Sequence, residues 1–152
     1  MIIVSGCLIG QKCRYDGNAA DDIPELKEMA ERGEAIPVCP EQLGDLATPR
    51  PPQEIVGGDG KSVLSGSAKV MNKEGDDVTD SFIRGASDVL VIAKDNNVDK
   101  AVLKSKSPAC GSGHIYDGTF SGRLREGDGV TTALLKRHGI DVLTEEEFRE
   151  GL

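Results

Sequence analysis

Ile2-Ile3-Val4-Ser5-Gly6-Cys7, residues 2–7, is a short β-branched run that stops on glycine and hands a thiol to the turn beyond it. Short apolar runs without polar alternation belong to strands buried on both faces of a parallel sheet. Two further segments repeat the arrangement: Ala35-Ile36-Pro37-Val38 runs into Cys39, and AVLKS (101–105) runs into a loop that carries Cys110. IDVL (140–143) is a fourth such run. Helical patterns separate them. Pro24 is suited to the first turn of a helix through ELKEMAERG (25–33), with Gly33 as its stop. Phe82, Ile83, Ala86, Val89, Leu90 and Ala93 recur at three and four, which predicts a helix over 81–96 with one face on the sheet. VTTALLKRHG (130–139) and EEEFREGL (145–152) predict two more helices.

Strands alternating with helices predict an α/β fold: a Rossmann-like, mostly parallel sheet of about four strands flanked by helices. A chain of 152 residues and 16.1 kDa is long enough to bury a core without disulfide staples, so residues 1–152 are expected to form a single small domain. The connections are irregular. GQKCRYDGNA (10–19) is a polar, Gly-rich loop, and ATPRPPQEIVGGDG (47–60) is too rich in proline and glycine for a regular helix or a central strand. A loop of that length is expected to wall a pocket. SAKVMN and DDVTD, around Lys73-Glu74-Gly75-Asp76, predict a small hairpin or a strand leading into the long helix, and HIYDGTFSGRL (114–124) an irregular hairpin.

The thiols point to function. Strand ends of an open α/β sheet converge on one edge, so Cys7, Cys39 and Cys110 are expected to meet there, in the crevice where such folds bind small molecules. Three thiolates hold an ion or cluster and leave one coordination position open, as a catalytic metal requires. Cys13, between Lys12 and Arg14, is open to two readings: a further ligand, or a small buried hydrophobe. There is no C-x-x-C knuckle and the histidines number 2, which makes mononuclear zinc the lesser reading. His138 is expected to face a helix C-terminus, and His114 to serve its loop or the nearby Cys110. Glu41 is placed to reach a metal-bound substrate and move a proton; equally, it can accept loop amides or pair with Arg50 or Arg14. Ser105 and Ser107 can hydrogen-bond a substrate heteroatom or simply form turns.

Composition narrows the partners. The start of the chain lacks the basic and apolar pattern of a secretory leader and no apolar run is long enough for a membrane span, which predicts a soluble cytoplasmic protein with reduced thiols. A formal net charge of -8 opposes a grip on polymeric nucleic acid. Aromatics are only 3%, so a base, if bound, is bound in a pocket rather than on an open stacking platform.

CLIGQKCRYDG, PVCPEQLGDLATPRPPQEI and LKSKSPACGSGHIYDGTFSG, in this order, resemble the thiouracil desulfidase family, long catalogued as a domain of unknown function. The resemblance implies a [4Fe-4S] cluster held by Cys7, Cys39 and Cys110 and easily lost in air. It also implies a thiolated pyrimidine as substrate, and Glu41 with Ser107, or Ser105, as the catalytic acid and serine. It implies non-redox desulfuration to the carbonyl form, with sulfide released or passed to an acceptor. Two other classes compete with it. A closed four-thiolate cluster or zinc site would make a structural or electron-transfer module, and a metal-free protein could use Cys7 and Cys13 as a redox pair.

Overall fold

The computed structural model describes residues 1–20 and 22–151. Four strands form one parallel sheet: β1 (Ile2–Ser5), β2 (Ala35–Val38), β5 (Lys100–Leu103) and β8 (Asp141–Thr144), in the order β2-β1-β5-β8. Register is set by pairs such as Ile3 with Ile36 and Ala101, and Val102 with Leu143. The α/β reading of the sequence holds, and the four apolar runs are the four strands of this sheet.

Alternation along the strands makes two cores. Ile3, Ala101 and Leu103 point to one face, where they pack with Phe82, Ala86, Val89 and Ala93 of α4 (Thr79–Asp95) and with Val130 and Leu135 of α5 (Val130–Arg137). Val4 and Val102 point to the other face, against Leu26 of α1 (Pro24–Glu31) and Phe148 of α6 (Glu145–Glu150). Pro24 opens α1 and Gly33 follows it at φ 73, as the sequence predicts. Leu152, the last residue of the segment expected to be the terminal helix, lies outside the described residues.

The proline-rich stretch is more regular than its composition predicts. Its prolines end at Pro52, and Gln53–Val56 then forms β3, antiparallel to β4 (Lys69–Asn72) in a separate two-stranded sheet. Between them α3 (Gly60–Leu64) starts from Asp59, whose Oδ1 accepts the Ser62 N–H at 3.0 Å. Four-residue strands and a five-residue helix are too short to imprint a period, so tertiary pairing decides them. α4 begins two residues before the predicted start at Ser81, at Thr79, whose Oγ1 accepts the Val70 N–H at 3.0 Å. The expected irregular hairpin is an antiparallel arm, β6 (His114–Tyr116) with β7 (Leu124–Glu126), tied to the loop after β5 by a bridge between Lys106 and Ile115. Among the described residues no helix is long and apolar enough to cross a membrane.

Candidate active site

β1 and β5 lie side by side, while the chain leaves β1 toward β2 on the opposite flank, so the sheet has its topological switch point between β1 and β5. Ligands of open α/β sheets bind outside the strand C-termini at that point. Cys7 sits there on a 3-10 turn, Gly6–Ile9, directly after β1. The loop beyond it is closed back on that turn by Ala20 N–H to Cys7 O and Ile23 N–H to Leu8 O, both 2.9 Å, and carries Cys13. Cys39 follows β2 and caps α2 (Pro40–Leu43), with Pro40 in the first position and Glu41 in the first turn.

α2 is held against α4 by close backbone approach. A Cβ on Gly85 would stand 1.9 Å from the Pro40 carbonyl oxygen, and one on Gly44 2.1 Å from that of Ser81. The Cys110 loop is gripped by the start of α5: Val130 and Thr131 donate their N–H groups to Pro108 O (2.8 Å) and Ala109 O (2.9 Å). Thr132 Oγ1 donates to Cys110 O at 2.8 Å.

These elements enclose a cavity of ≈ 390 Å³ lined by all four thiols, Cys7, Cys13, Cys39 and Cys110, together with Glu41, Ser105 and Ser107. The expected convergence of the strand-end cysteines on one edge is therefore present, and Cys13 lines the same space. Of the proline-rich wall, Pro52, Gln53 and Glu54 face this cavity, whereas Pro49, Arg50 and Pro51 border an adjacent depression that shares Pro52 and Lys73 with it.

The four thiols are free. Burial pushes Cys110 up to about 12, against the Ser5 and Ser107 hydroxyls that pull it down. At Cys13 the neighbouring Cys39 thiol lowers the value, but the Cys7 thiol and burial outweigh it and leave it at about 11. Cys39 is driven up by its contact with Cys13 and then by burial. Crowded, buried thiols of this kind cannot ionise together unless a cation or cluster compensates their charge. An all-sulfur donor set without histidine suits a soft metal or an iron–sulfur cluster, so the residues present fit such a group. No group of three or more His, Cys, Asp and Glu side chains among the described residues has the spacing of a single-ion site.

Glu41 is paired with Arg50, the first of the two arginines its sequence context offered; Arg14 instead lies over the Tyr15 ring, 6.0 Å from its centroid. Arg50, buried behind Glu41 and outside the cavity lining, ties the surrounding segments together. Its Nη2 donates to Glu41 Oε2 and to Cys13 O at 3.0 Å, and its Nη1 to Ala47 O at 3.2 Å and Thr48 Oγ1 at 2.9 Å. Burial raises the Glu41 carboxyl, and the Arg50 guanidinium limits that rise.

The two serines are engaged differently. Ser107 Oγ accepts the Cys110 N–H at 2.8 Å, whereas Ser105 Oγ donates to Glu145 Oε1 at 2.6 Å. Between them Lys106 holds φ 72, a backbone conformation that costs a non-glycine residue free energy and here turns both serines to the cavity. His114 opens β6 and His138 caps α5, both exposed.

The family described as 2-thiouracil desulfurase matches residues 2–147. The chain belongs to the 2-thiouracil desulfurase family. It is 46% identical over 152 residues to the uncharacterized protein YbbK of Bacillus subtilis (strain 168), with all of both chains covered. Its fold is similar to the solved structure of the [4Fe-4S]-dependent thiouracil desulfidase TudS (DUF523Vcz), with a TM-score of 0.86 and 43% identity, over 98% of this chain and 93% of that one.

Sequence reasoning about this desulfurase-family chain missed several residues that line the cavity or bond to those that do. Ser5 Oγ accepts the Lys104 N–H at 2.9 Å and donates to Cys110 Sγ at 3.7 Å, yet it reads as one more strand residue. Glu145 reads as a first-turn helix acid beside the Thr144–Glu147 capping box, but is 5% exposed and bonded to Ser105. Tyr15, Tyr116 and Phe120 are three of the chain's few aromatics, and all line the cavity. That scarcity was the available signal.

Proposed function

We propose that this protein is a [4Fe-4S]-dependent desulfidase that converts a thiolated pyrimidine of the thiouracil type to its carbonyl form. Water supplies the oxygen of the new C=O group, and the sulfur of the C=S group leaves as hydrogen sulfide with both of the water's hydrogens, so no electrons are exchanged. The observation that carries this reading is the cavity at the sheet's switch point, in which thiols from three strand ends meet a buried carboxyl. Membership of the 2-thiouracil desulfurase family, and the likeness to a [4Fe-4S]-dependent thiouracil desulfidase, support it.

Cys7, Cys39 and Cys110 would hold the cluster, with Cys13 outside the set. When bound, such a cluster supplies one iron without a protein ligand, a Lewis acid for thiocarbonyl sulfur. Glu41 is the proton carrier. Arg50 occupies its Oε2, which leaves Oε1 to take a proton from the attacking water and return it as sulfur departs. Ser107, whose oxygen accepts the Cys110 N–H, can turn its hydroxyl hydrogen from the Cys110 sulfur to charge developing on the ring's heteroatoms. Ser105 faces the same space. The protein acts as one domain over residues 1–152 in the reducing cytoplasm, on a small molecule rather than on nucleic acid or a membrane.

The test is anaerobic reconstitution followed by turnover. About four irons and four sulfides per chain are expected, with loss of 2- or 4-thiouracil absorbance matched by sulfide and uracil. An intact cluster that leaves both thiouracils and their nucleosides untouched overturns the reading. That Cys13 lines the same cavity as the other three thiols favours one rival, a closed four-thiolate module. Loss of iron in Cys13→Ser would select it.

A further inference from the structure

Glu54, on β3, lines the cavity but has no part in the proposed reaction. A carboxyl that is only 8% exposed needs hydrogen-bond partners. Its Oε1 has two, the backbone N–H groups of Gly118 at 2.9 Å and Phe120 at 3.2 Å. Both belong to the tip of the β6–β7 arm. Gly118 has φ 91 and Phe120 φ 54, and the N–H groups of a turn that enters the left-handed region converge into a concavity that holds a carboxyl oxygen. Glycine adopts such a φ freely, whereas phenylalanine keeps it only where its surroundings enforce it. Glu54 supplies that constraint by holding the N–H of Phe120 itself. The tip also lies close against β3: a Cβ on Gly118 would stand 2.5 Å from Ile55 O.

The tip has its own internal order. Asp117 N–H donates to Arg123 O at 2.9 Å and Thr119 N–H to Asp117 Oδ1 at 3.0 Å. Among the described residues, the two bonds to Glu54 are the hydrogen bonds that join residues 117–123 to the rest of the domain. β7, which follows, is exposed along its whole length. The chain has 2 Tyr and 3 Phe; Phe82 and Phe148 pack in the two cores, while Tyr15, Tyr116 and Phe120 line the cavity. Phe120 is the one carried by the tip. A half-exposed phenylalanine in a polar loop gains little from facing water, and gains an apolar contact when a flat ring lies against it.

We infer that Glu54 is a positioning residue: it latches the β6–β7 arm across the cavity so that Phe120 closes over the bound ring. The inference rests on the desulfidase reading and deepens it by naming the group that covers the substrate and the carboxyl that holds that group in place.

The test uses anaerobically reconstituted protein. Phe120→Ala should raise KM for 2-thiouracil by about tenfold, the scale of a lost contact between a base and an aromatic ring, with kcat changed far less because such a contact is made equally in the ground and transition states. Glu54→Ala should raise KM as far, and the double variant no further, because the two residues act as one unit. Glu54→Gln, whose amide oxygen can still accept both N–H groups, should return KM to near the wild-type value. A readout independent of turnover is trypsin cleavage after Arg123, exposed beside the tip, followed by mass spectrometry: it should be faster in Glu54→Ala than in the wild type or Glu54→Gln. Iron content and Tm of each variant separate a released arm from a misfolded domain, and Phe120→Ala, in the loop, probes the contact without touching the β3 carboxyl. Unchanged KM in iron-loaded Phe120→Ala, or additive effects in the double variant, overturns the inference and leaves the desulfidase reading intact. Equal cleavage of Glu54→Ala and the wild type overturns it as well. If the wild type with an intact cluster leaves thiouracil untouched, the desulfidase reading falls, and the cleavage comparison alone then decides for or against the latch.

Discussion

Replacing Gly85 with Ala tests whether the long helix positions the site. Gly85 lies inside α4, where an unobstructed Gly→Ala change gains about 1 kcal/mol in helix propensity. Here the new Cβ would meet Pro40 O at 1.9 Å, Pro40 C at 2.8 Å and Gly44 N at 3.3 Å, all of them backbone atoms that no rotamer change can move aside. α4 and α2 must part by about 1 Å, and overpacking on that scale costs about 1–3 kcal/mol, with further loss as contacts around Phe82 and Ala86 open. The clash outweighs the propensity gain. For a chain of this size 1 kcal/mol corresponds to about 2–4 °C, so a net loss of up to about 2 kcal/mol should lower Tm by up to about 8 °C. Because α2 carries Glu41 and starts at Cys39, iron retained after reconstitution should fall too. Scanning calorimetry with parallel iron assay makes the measurement, and Ser87→Ala, exposed on the same helix, is the control that should leave both unchanged or slightly improved. A Gly85→Ala protein as stable as the wild type and fully iron-loaded would show that the close approach of α4 does not hold the Cys39 segment in place.

Cys7→Ser, Cys39→Ser and Cys110→Ser should each abolish iron binding, whereas Cys13→Ser should keep it; iron and sulfide assay of anaerobically reconstituted protein reads all four. Glu41→Gln should retain the iron and lower turnover of 2-thiouracil by about 10²-fold or more, and undiminished turnover in a loaded variant would remove its role as proton carrier. Ser107→Ala should also keep the iron and lose up to about 10²-fold in kcat. Acid stability should depend on Glu145: burial raises its carboxyl, but the Ser105 hydroxyl and N–H and the Lys104 ammonium outweigh burial and hold it below the ordinary range. A carboxyl lowered in the folded state contributes stability above its unfolded pKa of about 4.3 and loses it as pH falls through the lower folded value. Urea midpoints taken between neutral pH and about pH 3 should thus drop less steeply for Glu145→Ala than for the wild type.

Much of the architecture was legible because it depends on patterns internal to one segment. A β-branched run ending in glycine, a three-and-four apolar stripe, or a proline at a helix start is a statement about neighbouring residues, and β1, β2, β5, α1 and α4 all follow from such statements. The thiols were legible for a related reason: parallel strands must end on one edge, so Cys7, Cys39 and Cys110 have to approach each other whatever the details of the loops. Glu41 stood out only by its distance of two residues from Cys39.

What the tertiary structure decided is the set of partners. Glu41 had two candidate arginines, and only packing of the proline-rich segment over α2 buries Arg50 against it while Arg14 stays with Tyr15. QEIV becomes a strand because KVMN lies alongside it, and Gly85 is required because Pro40 comes to rest against it. Ser105 and Ser107 are equivalent as letters. They acquire different partners: Ser105 donates to Glu145, 40 residues further along the chain, and Ser107 accepts the Cys110 amide of their own loop. Local sequence specifies which backbone shapes are cheap; the direction of a hydroxyl or the charge state of a buried carboxyl depends on groups that meet only when the sheet has closed.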